Sequence, residues 1–571
     1  MDSPGPRVQP ARGPGLGLPE VDGERKAAGR YDSQVKDPQR TYDYVIVGSG
    51  FGGSVSALRL AQKGYSVLVL ERGRRFRDQD FAKSTWNLRR YLWAPRLGLR
   101  GILQISPFKD VFVLHGAGVG GGSLGYANVL MQPLDEAFDT PAWKSPVPWG
   151  EVLKPHYAEA RRMLGVAPNP RLTAADHVLK GIAEDLGRGD SFRPVETGTF
   201  FGEPGKEGQE VPDPYFGGEG PARKACIHCG GCMVGCRHNA KNTLPKNYLY
   251  FAEKLGVAVM PDTVVRDIRP LEGAADGARY EVKPAGPGWF SLPRRPLRAR
   301  NVIVSAGALG TLRLLFRCRD VTKSLPDLSP RLGERVRTNS EALLGSVARK
   351  HDVDYSRGIA ITSIMQADPI TTVEPCRYPA GSSLMRFLSG PVVTSGGFLS
   401  RIFQSVRDIL KRPGDFLRTH VRPGWAEAAT ILLVMQWEDN RLKLRPGRSR
   451  FTFGRRDLVS EPDGVAALPP PKVETAHAVL RKFAEATNGI PMGSINEGLF
   501  NIPLTAHILG GVPFGKDASE GVIGADCQVH GHPGLYVVDG SILPANPGVN
   551  PSLTITAMAE YAMSQVPVKD A

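Results

Sequence analysis

The stretch Tyr44-Val45-Ile46-Val47-Gly48-Ser49-Gly50-Phe51-Gly52-Gly53 decides the fold of this chain, because an apolar run leads directly into closely spaced glycines. A helical pattern follows and ends at Gly64, and a second apolar run, Val67-Leu68-Val69-Leu70, leads to Glu71. Strand, tight turn, helix, strand and acid in this order form the complete fingerprint of a dinucleotide-binding unit. The sequence therefore predicts an α/β protein with a Rossmann-like domain.

Each residue type in the fingerprint has a physical role. Gly48 permits the sharp turn out of the strand, Gly50 lets the backbone approach a pyrophosphate, and Gly53 lets the helix pack close to the strand. An acid at the end of the second strand accepts hydrogen bonds from ribose hydroxyls, which favours NAD or FAD over NADP. A glycine-rich turn without a ligand is the alternative, and the complete context argues against it. The predicted cofactor-binding residues of this unit are Gly48, Gly50, Phe51, Gly52, Gly53 and Glu71.

Composition and charge narrow the class of protein. The chain has 571 residues, 41% hydrophobic and 23% charged, which is ordinary for a soluble globular protein of about two domains. A net charge of +15 suggests anionic neighbours such as a membrane surface or an acidic partner. Nucleic acid is not expected, because no helix-turn-helix, zinc finger or basic block interleaved with aromatics is present. No apolar run could span a bilayer, and residues 1–40 read as a disordered lead-in without a signal peptide, so we expect a cytoplasmic protein.

A second glycine-rich run, Gly116 to Gly122, follows the apolar segment Phe112-Val113-Leu114. Glycines in this number bring the backbone close to a flat or charged group, although a flexible loop has the same composition. The apolar residues before the run and between Leu124 and Met131 after it favour an ordered contact with the cofactor. We predict that this contact involves Gly120, Gly121, Gly122 and Ser123.

Several segments resemble the glucose–methanol–choline (GMC) oxidoreductase family, and most closely its cholesterol oxidase branch. They are residues 42–136, 146–165, 301–311 and 505–562. The resemblance implies a discontinuous Rossmann-like FAD-binding domain and a substrate domain with an antiparallel sheet. The FAD domain would comprise residues 42–140, 225–340 and 500–571, and the substrate domain residues 141–224 and 341–499.

The resemblance also implies further contacts with FAD. A valine beside a strand would lie against the adenine, and the glycine of a second strand-glycine-helix unit would return the chain to the flavin. An Asp-Gly pair would approach the ribityl and phosphate groups, and a helix preceded by Asn-Pro-Ser would point its first amides at the flavin ring, where they favour the anionic reduced form. The corresponding residues are Val264, Ala306, Gly307, Asp539, Gly540, Asn550, Pro551 and Ser552.

Three residues match catalytic positions of the family. His507 lies in a His-x-x-Gly-Gly motif and would bond the substrate hydroxyl, and Asn550 would face the flavin and the same oxygen. Glu374, in a Glu-x4-Pro-Ala-Gly pattern, matches the glutamate of cholesterol oxidases that accepts a proton. A structural histidine and a surface glutamate on a turn are the alternatives. Tyr126 stands where cholesterol oxidases usually carry asparagine.

Four cysteines are spaced Cys-x2-Cys-x2-Cys-x3-Cys at Cys226, Cys229, Cys232 and Cys236. This is the spacing of the bacterial ferredoxin run, with arginine in place of the usual proline, and it predicts a 4Fe-4S cluster with these four residues as metal ligands. Structural zinc and a cysteine-rich loop are the alternatives. The best-known cholesterol oxidases lack such a run, so we also consider a protein or quinone electron acceptor in place of oxygen.

A basic amphipathic pattern lies between Phe398 and Arg412 and ends at Pro413-Gly414. Large apolar residues recur there at helical spacing with arginines and lysines between them. The pattern predicts either a helix that caps the substrate domain or a lid or membrane-docking element. The second option would place the protein at the periphery of an anionic membrane.

The leading hypothesis is an FAD-dependent enzyme that oxidises the hydroxyl of a sterol-like or long-chain alcohol by hydride transfer to flavin. One alternative is a dehydrogenase of another hydrophobic metabolite that passes electrons through an iron–sulfur cluster. A non-catalytic electron-transfer flavoprotein is the other, and the histidine and asparagine over the flavin argue against it.

Overall fold

The computed structural model describes residues 40–143, 147–288, 292–350, 352–393, 395–452 and 454–570. The predicted lead-in, residues 1–40, lies outside this part of the chain except for its last residue. Within the described residues, no helix is long and apolar enough to cross a membrane.

The fingerprint forms the centre of a seven-stranded sheet. Its first strand, Thr41–Val47, pairs in parallel with Val67–Leu70 on one side and with Leu297–Val304 on the other. Further strands come from distant parts of the chain, which confirms the discontinuous Rossmann-like domain. They are Ala258–Met260, Val264–Pro270, Tyr280–Ala285 and Leu535–Val537.

The apolar strands of this sheet are buried because helices cover them. The helix Phe51–Gln62 begins directly at the glycine turn, and its first eight residues are buried. The C-terminal helix Ser552–Ser564 packs against it and against the helix Lys154–Leu164. The helix Tyr248–Lys254 packs against Phe51–Gln62, and the helix Ala308–Asp320 packs against the strand Val264–Pro270.

A second seven-stranded sheet is antiparallel in all its pairings, as the resemblance implied. Alternate residues of its strands point to opposite faces. Leu344, Leu432 and Val434 pack under the helices Ala174–Asp185 and Glu474–Ala486. The sheet contains, in spatial order, Ser389–Gly390, Gly489–Ser494, Ala342–Ala348, Ala429–Gln436, Thr371–Cys376, Ser363–Asp368 and Arg193–Pro194.

The remaining elements are short strands and helices around these two layers. The helices are Leu88–Tyr91, Asp135–Phe138, Trp149–Val152, Phe398–Lys411, Pro413–His420, Trp425–Ala428 and Ile495–Phe500. The strands include Leu103–Pro107, Phe112–Gly116, Leu442–Gly447, Asp457–Pro462 and Leu504–Thr505. The predicted boundaries between the FAD domain and the substrate domain stay a prediction.

Candidate active site

A cavity of about 1030 Å³ is lined by residues of both large sheets. Cavities of 300–1,000 Å³ are typical of ligand sites, so this one has room for a large ligand. Glycines of the fingerprint line part of its wall, and apolar side chains of the antiparallel sheet line another part. The cavity therefore joins the predicted cofactor site to the predicted substrate site.

The glycines leave space that fits the phosphates of FAD. A Cβ atom built on Gly50 or Gly307 would meet no atom within 4 Å, so both backbones border open space in the cavity wall. At Gly53, in contrast, a Cβ would collide with the carbonyl oxygen of Gly48. Gly53 therefore allows close packing of helix and strand, as the fingerprint predicts.

The N-terminus of the C-terminal helix opens on the same cavity. Asn550, Pro551 and Ser552 line the cavity, and no side chain caps the first turn of the helix. That turn contains no acidic residue, so its free N–H groups keep their positive potential. An anionic group in the cavity is stabilised at this position.

Most of the predicted cofactor-binding residues line the cavity. They are Gly48, Gly50, Phe51, Glu71, Gly121, Gly122, Val264, Ala306, Gly307, Gly540, Asn550, Pro551 and Ser552. Gly52, Gly53, Gly120, Ser123 and Asp539 lie behind this wall and do not line it.

The residues behind the wall bond to other parts of the protein, and their direct contact with the cofactor stays a prediction. The Ser123 hydroxyl donates to the carbonyl oxygen of Gly120 (2.7 Å) and accepts from the Leu244 N–H (3.1 Å). The Asp539 carboxylate accepts from the hydroxyl of Thr311 (2.5 Å) and from the N–H of Gly307 (2.9 Å). These side chains fix the loops that form the wall.

Glu71 has a role that the fingerprint alone did not predict. One carboxylate oxygen accepts from the hydroxyl (2.7 Å) and the N–H (3.1 Å) of Ser49. The other accepts from the N–H groups of Gly73 (2.8 Å) and Gly118 (3.4 Å). A carboxylate has about four acceptor sites, so Glu71 ties the two glycine loops together, and its bond to a ribose stays a prediction.

His507 lines the cavity and contacts a buried carboxylate. Its Nδ1 bonds Oε1 of Glu341, while Oε2 of the same carboxylate accepts from the N–H of Ala506 (2.7 Å). The Glu341 side chain is fully buried, whereas that of His507 keeps 15% of its surface exposed. If Nδ1 carries the proton of this bond, Nε2 is left to accept a proton from a ligand.

Asn550 and Glu374 form a second buried pair. The Asn550 Nδ2 donates to Oε2 of Glu374 (3.4 Å), and neither Oε1 of Glu374 nor Oδ1 of Asn550 has a hydrogen-bond partner among the described residues. Glu374 lies within the strand Thr371–Cys376 and is fully buried, so the alternative of a surface glutamate on a turn is wrong. The pKa of Glu374 is raised to about 8, mainly because the side chain is buried; the bond from Asn550 lowers it, and the nearby Glu341 carboxylate raises it.

One short segment, residues 337–341, holds the loops that carry both pairs. The side chain of Asn339 accepts from the Gly548 N–H (3.0 Å) and donates to the Val549 carbonyl (3.0 Å). The backbone of Arg337 pairs with that of Leu509 in both directions. The positions of Asn550 and His507 are therefore set by the same segment.

Sequence reasoning missed Glu341 and Asn339. A signal was present, because the polar run Arg337-Thr338-Asn339-Ser340-Glu341 directly precedes the apolar strand Ala342–Ala348. All five of these residues are buried in the structure. A buried polar run needs internal partners, which is typical of a site or of its support.

The wall contributed by the antiparallel sheet and its surroundings is apolar. Tyr126 also lines the cavity, its ring lies 5.6 Å from that of Phe51, and its hydroxyl has no partner among the described residues. Burial raises the pKa of Tyr126, so its hydroxyl stays protonated and can donate to a ligand. The apolar lining includes Val129, Ile361, Met385, Leu388, Trp425, Ile431, Leu433 and Met492.

The four clustered cysteines line a separate pocket of about 130 Å³. All four thiols are free, and the N–H of His228 donates to the sulfur of Cys226 (3.4 Å). In the described part of the chain, however, no three His, Cys, Asp or Glu side chains are grouped so that they could hold a metal ion. The geometry therefore does not support the predicted metal site at Cys226, Cys229, Cys232 and Cys236.

Lys241 joins the cysteine loop to the wall of the large cavity. Its ammonium group donates to the carbonyl oxygens of Leu124 (3.2 Å), Tyr126 (2.7 Å) and Cys232 (3.0 Å). Burial lowers the pKa of Lys241 to about 7. Because Tyr126 lines the cavity, Lys241 fixes the backbone of the cysteine loop relative to the cavity wall.

Comparisons with known proteins agree with this geometry. Residues 480–559 match the family model described as GMC oxidoreductase, and residues 46–77 match a NAD(P)-binding Rossmann-like domain. The chain is 46% identical to a cholesterol oxidase of Acinetobacter baumannii, over 92% of this chain and 95% of that one. It is also 46% identical to a cholesterol oxidase of Mycobacterium tuberculosis, over 92% and 91%. Among solved structures, pyridoxine 4-oxidase from Mesorbium loti superposes with a TM-score of 0.58 at 17% identity, covering 92% of this chain and 99% of that chain.

We expect that Gly50→Leu lowers the affinity for FAD at least about tenfold, because the new side chain enters the cavity wall where the phosphates approach. The backbone at Gly50 has a φ of −71°, which leucine adopts without strain. Flavin absorbance per protein and the rate of flavin release measure the effect. Gly181→Leu is the matched control, since a Cβ there also meets nothing within 4 Å but the position lies outside the cavity. Equal flavin content in both variants would contradict the assignment.

Proposed function

Because the chain belongs to the GMC oxidoreductase family, in its cholesterol oxidase-like branch, we propose that its substrate is a sterol or a similarly bulky alcohol. The chain is an FAD-dependent oxidoreductase that acts on the CH–OH group of a hydrophobic alcohol. Two residues carry the sterol proposal: Asn550 lines the apolar cavity, and Glu374 does not line it but is buried behind Asn550 and bonded to it. A carboxyl group kept away from water is suited to move protons on a substrate that is itself apolar.

His507, Asn550 and the apolar wall each have a separate role in alcohol oxidation. FAD, when bound, supplies the hydride acceptor. His507 accepts the hydroxyl proton at Nε2, because its Nδ1 is engaged by Glu341. Asn550 holds the substrate oxygen, and the apolar wall excludes water from the reacting carbon.

Glu374 has a role specific to sterols whose double bond lies two carbons from the new carbonyl. We propose that its carboxylate removes a proton from the carbon between carbonyl and double bond and returns it to the far end of the double bond. The proton balance is zero, and the double bond moves into conjugation with the carbonyl. The raised pKa of Glu374 makes it a stronger base than an exposed carboxylate.

The alternative functions require different groups at the site. A non-catalytic electron-transfer flavoprotein needs no proton acceptor over the flavin, so the His507–Glu341 pair disfavours it. A dehydrogenase of another hydrophobic metabolite differs mainly in its electron acceptor. Whether oxygen, a protein or a quinone accepts the electrons stays a prediction, and so do the cytoplasmic location and contact with an anionic membrane.

We further propose that the cysteine pocket binds an iron–sulfur cluster. The ferredoxin spacing supports this, as does the position of all four thiols around one pocket. A tetrahedral zinc ion with sulfur ligands at about 2.3 Å would require the sulfurs within about 4 Å of one another. The described residues contain no such group, which disfavours zinc and the cluster alike, so the ferredoxin spacing alone makes zinc the weaker alternative.

The cluster proposal predicts about four irons and as many sulfides per chain after anaerobic purification. Cys229→Ser should lose most of this iron, because a hydroxyl replaces a ligand. Cys527→Ser is the control, since that thiol is also free but lies outside the pocket. Iron and sulfide near zero in the unaltered protein, measured by elemental analysis, would remove the cluster from the proposal.

Glu374→Gln should block the shift of the double bond without blocking oxidation. The unconjugated ketone accumulates, and flavin reduction stays within about tenfold of the unaltered rate. In the unaltered protein the double-bond shift should quicken as pH rises through about 8, because the carboxyl must lose its proton before it can act as a base. Ultraviolet absorbance follows the conjugated ketone, and flavin bleaching follows oxidation. Glu272→Gln, at an exposed position, is the control, and a conjugated product at the normal rate from Glu374→Gln would contradict this role.

Glu341 is predicted to act by positioning His507. His507→Ala should slow flavin reduction about a hundredfold with FAD still bound, and Glu341→Gln should slow it at least about tenfold. Combined, the two changes should cost no more than His507→Ala alone, because Glu341 acts through the imidazole. Stopped-flow absorbance, recorded with and without added FAD, gives these rates of flavin reduction. His530→Ala is the control, because His530 lies outside the cavity. Additive losses in the double variant would show that Glu341 has only a general structural role.

A further inference from the structure

Large exposed apolar side chains share one surface of the substrate domain. They lie on the helices Phe398–Lys411 and Pro413–His420 and on the segments packed beside them. Contacts join these elements, and the rings of Phe398 and Phe500 stack 5.9 Å apart. We call this surface the docking face; its members are Phe387, Phe398, Leu399, Phe403, Val406, Leu410, Leu417, Val421 and Phe500.

The helix Phe398–Lys411 exposes its apolar stripe to solvent. Amphipathic helices normally turn their apolar stripe toward the core. Here Leu399, Phe403 and Leu410 are 79%, 69% and 74% exposed, whereas Arg401 is buried at 5%. A contiguous apolar surface of this kind marks an interaction site.

Arg401 holds the helix in this orientation. Its guanidinium donates to the carbonyl oxygens of Gly396 (2.8 Å) and Glu497 (2.9 Å) and to Oδ1 of Asn501 (2.5 Å). Charged groups are buried only where such partners are available. The outward direction of the apolar stripe is therefore built into the packing.

The charges around the docking face favour an anionic partner. Between residues 386 and 422 the basic side chains outnumber the acidic ones, which are Asp408 and Asp415. Asp415 is already paired with Arg349 (2.7 Å). Basic side chains beside exposed apolar ones are typical of helices that lie in the interface of an anionic membrane. Apart from the buried Arg401, the basic residues are Arg386, Arg407, Lys411, Arg412, Arg418 and Arg422.

The docking face lies on the outer side of the cavity wall. In the segment Ser383–Leu388, Phe387 is 51% exposed on the docking face, while Met385 and Leu388 line the cavity. Asn496, on the helix Ile495–Phe500 next to it, also lines the cavity. A ligand held at the docking face is thus separated from the cavity by one short segment.

We propose that the docking face binds an anionic lipid bilayer and that the substrate passes from the bilayer into the cavity at this segment. The transfer step rests on the proposed function, whereas the docking step does not. The bilayer is favoured over a second copy of this chain because both faces of such a dimer would carry the same positive charge.

Flotation of the FAD-loaded protein with vesicles tests the docking step. We expect binding to vesicles of phosphatidylcholine with phosphatidylglycerol at low salt, and at least tenfold weaker binding to phosphatidylcholine alone. Replacing Leu399, Phe403 and Leu410 together by serine should weaken binding at least tenfold, while the flavin content and the melting temperature stay unchanged because these side chains are exposed. The matched control replaces Leu292 and Val465, which are 71% and 82% exposed elsewhere, by serine.

The outcomes separate docking from catalysis. No vesicle binding at low salt, equal binding by the triple variant, or a dimer in size-exclusion chromatography that the triple variant dissolves would each overturn the docking proposal. Vesicle binding without flavin bleaching by vesicle sterol would overturn the proposed substrate and leave docking intact. Unchanged oxidation of detergent-dispersed alcohol by the triple variant, together with slower oxidation from vesicles, would support both.

Discussion

The active site depends on a buried polar segment that meets two loops at once. Residues Asn339 and Ser340 both adopt left-handed backbone conformations, with φ of 58° and 47°, and both are buried. This bend turns the Asn339 amide toward the Asn550 loop and the Glu341 carboxylate toward the His507 loop. Consecutive residues in this conformation are costly for side chains other than glycine, so the many hydrogen bonds around the segment offset that cost.

The fold was predictable where a local pattern has one physical meaning. The fingerprint around Gly48 and Gly53 combines an apolar strand, a turn that excludes side chains and a helix, and few other structures satisfy all three. The alternation that places Leu433 toward the cavity and Leu432 toward the helices follows equally from strand geometry. The predicted class therefore agrees with the structure, and Gly48 and Gly50 line its large cavity.

The contacts that complete the site were not predictable, because they join residues far apart in sequence. Glu341 meets His507 at a separation of 166 residues, and Glu374 meets Asn550 at a separation of 176. The spacing of residues along the chain does not predict such contacts between distant side chains. Glu71 shows the same limit, since its position was predicted but not the hydrogen bonds from Ser49, Gly73 and Gly118 that occupy its oxygens. For the cysteines from Cys226 to Cys236, the spacing correctly indicated that the four residues lie around one pocket. It did not indicate that their side chains are not arranged to hold a single metal ion.

Amphipathicity alone does not determine which face of a helix is buried. The pattern from Phe398 to Lys411 is equally consistent with a cap on the substrate domain, in which Leu399 and Leu410 would be covered. What decides is Arg401, because a guanidinium surrounded by the carbonyls of Gly396 and Glu497 cannot turn to solvent without leaving those acceptors unpaired. The same side chain that makes the helix look basic in sequence is therefore its internal anchor. The positive charge available to a partner comes instead from the arginines and lysine at the edge of the exposed apolar stripe.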